Sequence, residues 1–157
     1  MIPFYSKFPD LAFAETRSVK VRGDDDLPDG EYGFIEFYCA EPACDCRRVV
    51  VSVVSPDPGL TPWATISFGW ESLQFYRDRL GGIEDAAVLK GPSLDPLHPQ
   101  TKYAPALLRL FRFVLTDDAY VERLKRHYHL FKGFIQGADR TEPPKRARKK
   151  RKRRRRK

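Results

Sequence analysis

The spacing of apolar residues changes once along this chain, near residue 71. Before that point, short runs alternate apolar and polar residues; after it, apolar residues recur at intervals of three and four. A period of two marks strands, and a period near 3.6 marks helices. The switch therefore calls for a sheet built first and helices laid on it afterwards. Residues 15–22 read as a strand through Thr16, Val19 and Val21, and residues 31–38 as a second through Tyr32, Phe34, Phe37 and Tyr38. Residues 47–54 form a valine-rich third, expected to be buried on both faces. Residues 63–70 make a fourth, with Ala64, Ile66, Phe68 and Trp70 on one parity. Turn clusters at 23–30 and 55–59 separate strands, and such short connections favour an antiparallel four-stranded meander. Asp24, Asp25 and Asp26 in the first cluster read as a solvated loop, because no spaced ligand pattern follows them.

Residues 71–80 suit a helix stopped by Gly81 and Gly82, and residues 83–89 fit neither period. Residues 91–100 carry three prolines and read as a loop. Residues 103–115 read as a helix with Pro105 in its first turn and Leu107, Leu110, Phe111 and Val114 as its stripe. Thr116 is the expected N-cap of the last helix, with Asp117 and Asp118 in the first turn, where the helix dipole favours anions. That helix is expected to reach residue 134, turning Tyr120, Leu124, His127, Tyr128, Phe131 and Phe134 to one side. Residues 1–14, aromatic and proline-containing, read as an extended arm. The expectation is a single α+β domain over residues 1–136. In it an antiparallel four-stranded sheet is covered on one face by two or three helices, and a disordered basic tail follows over 137–157.

Charge is distributed as unevenly as hydropathy. Of 29 lysines and arginines, twelve fall in the last thirteen residues, leaving 17 against 21 acidic residues elsewhere. These are Lys145, Arg146, Arg148, Lys149, Lys150, Arg151, Lys152, Arg153, Arg154, Arg155, Arg156 and Lys157. The net charge of +8 is thus a property of the tail, and the body is slightly acidic. Such a run attracts phosphate backbones by counterion release without reading sequence, so DNA or RNA is the expected partner. No aromatic residue interleaves with the arginines, so base stacking by the tail is not indicated. No apolar stretch approaches the roughly 20 residues a membrane-spanning helix needs. The N-terminus lacks the pattern of a secretory signal. A cytoplasmic protein is expected, nucleoid-associated if the host is bacterial and the tail binds DNA.

All three cysteines of the chain, Cys39, Cys44 and Cys46, lie within eight residues, between the second and third expected strands. An odd count excludes a complete disulfide framework, and clustered thiols suit a metal or redox site. If the two strands form a hairpin, its tip gathers the three thiols, and tetrahedral Zn2+ accepts such ligands. A closed site needs a fourth ligand. His127, on the apolar side of the last helix, is the first candidate and His98 the alternative, while His129 is expected to face outward. Glu36, on the second strand, is expected near the core, where it could serve as a base beside a metal-bound water. Nothing matches H-x-E, H-E-x-x-H, G-x-S-x-G or a glycine-rich phosphate loop, so no reaction is specified.

The runs Tyr32-Gly33-Phe34-Ile35-Glu36-Phe37-Tyr38-Cys39, Cys44-Asp45-Cys46-Arg47-Arg48-Val49 and Arg126-His127-Tyr128-His129-Leu130-Phe131-Lys132 resemble uncharacterised bacterial proteins with a C-x4-C-x-C strand-turn-strand motif. Some of those proteins carry a separate C-terminal cysteine-rich metal-binding motif, where this chain has its basic tail. The resemblance spans about residues 5–132 and implies no activity. The leading expectation is a small zinc-stabilised binding module whose tail associates with nucleic acid. The alternatives are a metal- or thiol-dependent enzyme and a protein-interaction domain with an incidental tail.

Overall fold

The computed structural model describes residues 1–55, 61–79 and 86–141. The turn residues 56–59, the Gly81-Gly82 helix stop and the basic run from residue 145 onward lie outside the described residues. Strands β1 (Ile2–Pro3), β3 (Gly30–Tyr38), β4 (Arg48–Val54), β5 (Pro62–Gly69) and β6 (Gly91–Leu94) follow one another across a sheet in which every pair is antiparallel. The strand β2 (Arg17–Val21) shares the outer edge of β3 with β1: β2 pairs with residues 30–34 and β1 with residues 37–38. The expected meander is therefore present as β2–β3–β4–β5, inside an α+β fold.

Two expected irregular segments contribute strands instead. Pro92 stands in β6, at the sheet edge, where a missing backbone donor costs no ladder bond. Residues 1–14 are not an extended arm. They form β1, a 3-10 turn over Phe4–Ser6, and α1 (Pro9–Glu15), which starts on a proline whose φ suits a first helical turn. The helices α2 (Leu73–Arg79), α3 (Ala86–Leu89), α4 (Ala104–Val114) and α5 (Asp118–Thr141) follow. Thr116 does not cap α5; its hydroxyl donates back to the Phe113 carbonyl, and the Asp117 carboxylate accepts the Ala119 N–H in its place. The last helix also continues through residues 137–141, beyond the boundary at residue 136 expected for the domain. No helix among the described residues is long and apolar enough to cross a membrane.

Register aligns the core. On the inner face Phe34 stands opposite Val53 and Val53 opposite Ala64; in the next row Glu36, Val51 and Ile66 line up, and Val49 faces Phe68. Onto these rows α4 sets Leu107, Phe111 and Val114, and α5 sets Tyr120, Leu124, Tyr128 and Phe131, all buried. Each such side chain contributes about 1.5–3 kcal/mol on leaving water, which holds both helices on one face. Val49 through Val53 are buried without interruption, as a strand covered on both faces requires. Glu36 is the exception within the apolar rows, a carboxylate only 6% exposed.

Candidate metal centre

The chain leaves β3 at Tyr38 and re-enters the sheet at Arg48, and this connection carries the three cysteines. A turn closes in it, with the Cys44 N–H donating to the Glu41 carbonyl at 3.1 Å and Pro42 at the second turn position, which its fixed φ suits. Arg47 then adopts a positive φ of 43°, uncommon for a side chain with a Cβ, and swings the backbone into β4. Its neighbours hold it there. The Arg47 N–H donates to the Tyr128 hydroxyl at 3.3 Å, and its carbonyl accepts the Tyr76 hydroxyl at 2.8 Å.

The last helix fastens the rest of the loop. Tyr128 donates to Asp45 at 3.1 Å, Lys132 to the Glu41 carbonyl at 2.7 Å, and Gln136 to the Pro42 carbonyl at 3.3 Å. Residues four apart lie on one helix face, so a single stripe of α5 fixes the loop at three points. Asp45 is further held by Arg47 and by Arg79 of α2, each at 3.1 Å.

Within this frame the three sulfur atoms lie within 4.8 Å of one another, all partly buried and none in a disulfide. Tetrahedral zinc with Zn–S bonds of about 2.3 Å separates its sulfurs by about 3.8 Å, a spacing that falls inside this limit. Burial raises the Cys39 thiol pKa, but a backbone hydrogen bond at Glu41, the Cys44 thiol and the Lys132 ammonium outweigh it and leave Cys39 below its ordinary value. Burial, with the neighbouring Cys44 and Cys39 sulfurs, pushes Cys46 up to about 12. A divalent cation among the sulfurs would stabilise the thiolate at Cys46 that burial alone opposes. The cysteines open onto a cleft of about 530 Å³ whose other walls include Arg48, Phe75, Arg79 and Leu89.

Neither expected histidine joins the sulfurs. His127 is 1% exposed, but its Nδ1 lies 2.7 Å from Glu36 Oε2 and its Nε2 lies 2.9 Å from Glu15 Oε2. Each ring nitrogen is thus already engaged by a carboxylate oxygen at hydrogen-bond distance, and neither faces the sulfurs. Phe4 stacks on the same imidazole at 4.2 Å. His98 is half exposed behind β6 and pairs through Nδ1 with Asp95 at 3.0 Å. His129 is exposed, as expected. Among the described residues the compact ligand group consists of Cys39, Cys44 and Cys46 alone.

Glu36 is not beside the cysteine cluster either. It accepts the Tyr38 hydroxyl at 2.8 Å and, with His127, lines a separate small cavity. A buried histidine on an apolar helix face signals a polar partner, yet nothing in the linear pattern identifies Glu15, 112 residues away, as one of the two. Comparison with protein-family models, curated proteins and solved structures finds no match for this chain.

Proposed function

We propose that the protein is a small zinc-binding module. Cys39, Cys44 and Cys46 hold the ion, and the Lys/Arg-rich C-terminal segment keeps the module near nucleic acid. The observation that carries the metal reading is the convergence of three sulfurs within 4.8 Å on a loop clamped by α5. Sulfur donors favour Zn2+ over hard cations such as Mg2+ or Ca2+. The nucleic-acid reading is supported by twelve cationic side chains in thirteen residues. The domain limits proposed are residues 1–136 with the tail beyond, adjusted for the helix that runs to Thr141.

A second reading, a metal- or thiol-dependent enzyme, is favoured by the cleft on which the cysteines open. There the ion's remaining coordination position would face a ligand from solution. Metal analysis of the purified protein beside Cys44→Ser tests the first reading. One zinc per chain in the parent and a large loss in the variant are expected; equal metal contents would refute it. Deleting residues 142–157, beyond the end of α5, tests the tail. DNA or RNA affinity should fall and its dependence on salt should flatten, whereas unchanged affinity and slope would remove nucleic acid from the proposal.

A further inference from the structure

A second polar depression, of about 380 Å³, lies among the end of α1, the start of β2 and the first turns of α5. Glu15, Arg17, Asp117, Tyr120, Arg123 and Arg126 line it. The guanidinium groups of Arg17 and Arg123 both lie against the Tyr120 ring, 5.9 and 5.1 Å from its centre. Arg126 pairs with Glu15, which also serves His127. Arg17 reaches Asp117 only at 3.4 Å, between side chains 37% and 42% exposed, and the other Asp117 oxygen is engaged by the Ala119 N–H.

Charge and donors are therefore in excess here. Three guanidiniums face two carboxylates, one of them shared with an imidazole. The Nε atoms of Arg17 and Arg123 are buried and have no acceptor among the described residues. A buried donor left unpaired is costly, more so on a charged group, and calls for an acceptor. The start of α5 adds the positive end of its dipole.

We propose that this depression binds a phosphate group, with Arg17, Arg123 and Arg126 as its ligands and the Tyr120 ring as the platform beneath two of them. Guanidinium forks match pairs of phosphate oxygens, and a tetrahedral dianion offers enough oxygens for three of them where a carboxylate offers two. The Arg17–Asp117 contact is long and exposed, so it yields to a more highly charged partner. The site is separate from the cysteines and does not depend on the metal reading.

The full-length protein is titrated calorimetrically with inorganic phosphate at constant ionic strength, beside Arg17→Gln, Arg123→Gln and the control Arg112→Gln. All four chains keep the basic tail, so its contribution cancels. Each of the first two substitutions should weaken phosphate binding about tenfold or more, and the control should not. Arg123→Lys keeps the charge without the fork and should fall between parent and Arg123→Gln, which serves if the glutamine variant does not fold. The arginine Nε–H resonances absent from the Arg17 and Arg123 variants should be the ones phosphate shifts in the parent. Tighter binding of glycerol 3-phosphate than of inorganic phosphate would assign the site to a phosphate ester, and the reverse order to the free ion. Parent-like phosphate affinity in Arg17→Gln and Arg123→Gln, or acetate binding as tightly as phosphate, overturns the proposal.

Discussion

Glu36 and His127 show how far one buried polar pair constrains its neighbours. Glu36 occupies a core row between apolar strands, so its carboxyl group is tolerable there only with His127 Nδ1 at 2.7 Å and the Tyr38 hydroxyl at 2.8 Å. Tyr38 also lies within 3.0 Å of the Leu124 carbonyl, and burial, then the Glu36 charge, raise its phenol well above the ordinary value. Glu36→Ala leaves the imidazole and the phenol without that acceptor and should cost about 3–5 kcal/mol in a denaturant titration. A loss below about 1 kcal/mol would mean that the pair is not coupled to folding. Glu15 closes the other side of the ring. Burial raises its carboxyl, but the His127 hydrogen bond and the charges of Arg126, His127 and Arg123 leave it below the usual carboxylate value. A lowered folded pKa means stability that is present above the unfolded value of 4.5 and lost as pH falls through the folded one. Glu15→Gln should therefore destabilise at pH 7 and shrink the loss on acidification, measured as denaturant midpoints from pH 7 to pH 3. An unchanged acid limb contradicts this account.

At the scale of elements, two contacts position the cysteine loop and the far sheet edge. Along α5, Tyr128, Lys132 and Gln136 hold the loop from one face, and Lys132 also places its ammonium near Cys39. On the proposed metal reading, Lys132→Ala should weaken zinc binding roughly tenfold or more, as outer-shell losses do, with little change in helicity. Chelator competition reads the first quantity and circular dichroism the second; parent-like affinity would show that the clamp is dispensable. On β5, Gly69 lies beneath the Leu89 carbonyl and the Tyr76 ring, where a Cβ would collide with both. Gly69→Ala should cost about 1–3 kcal/mol, by pushing α3 and α2 from the sheet. Thermal unfolding measures it, and a neutral result would mean that this edge repacks freely. The caps and breaks are also an element-scale matter. Asp117, Thr116 and Asp118 all suit a helix start by residue type, and only the turn out of α4 selects Asp117 as the cap.

For the whole molecule, the core of sheet, α4 and α5 is complete without an ion, because the loop is already held by side chains from α5 and α2. On the proposed metal reading, zinc should accordingly raise stability rather than create the fold. Free zinc at 100 times its Kd adds about 2.7 kcal/mol, which for a chain of this size raises Tm by roughly 5–10 °C. Scanning calorimetry with zinc and with chelator checks this, and Cys46→Ser should show no zinc-dependent shift. A chain that unfolds on chelation at 25 °C would show the ion to be integral to the core. The four strands of the meander, the helices α2, α4 and α5, the valine-rich central strand and the gathering of the three cysteines were legible from residue spacing, because period and chain proximity are local properties; β1, α1 and β6, short and proline-containing, were not. What the long-range packing alone decided is which groups meet across the sequence. His127 goes to Glu15 and Glu36 because a stripe of α5 lies over β3 beside α1, and the ring's two nitrogens are used up there. Arg17 meets Arg123 and Arg126 because β2 runs past the first turns of α5. Linear spacing cannot rank such encounters, since each depends on where two distant segments are brought by burying the same apolar surface.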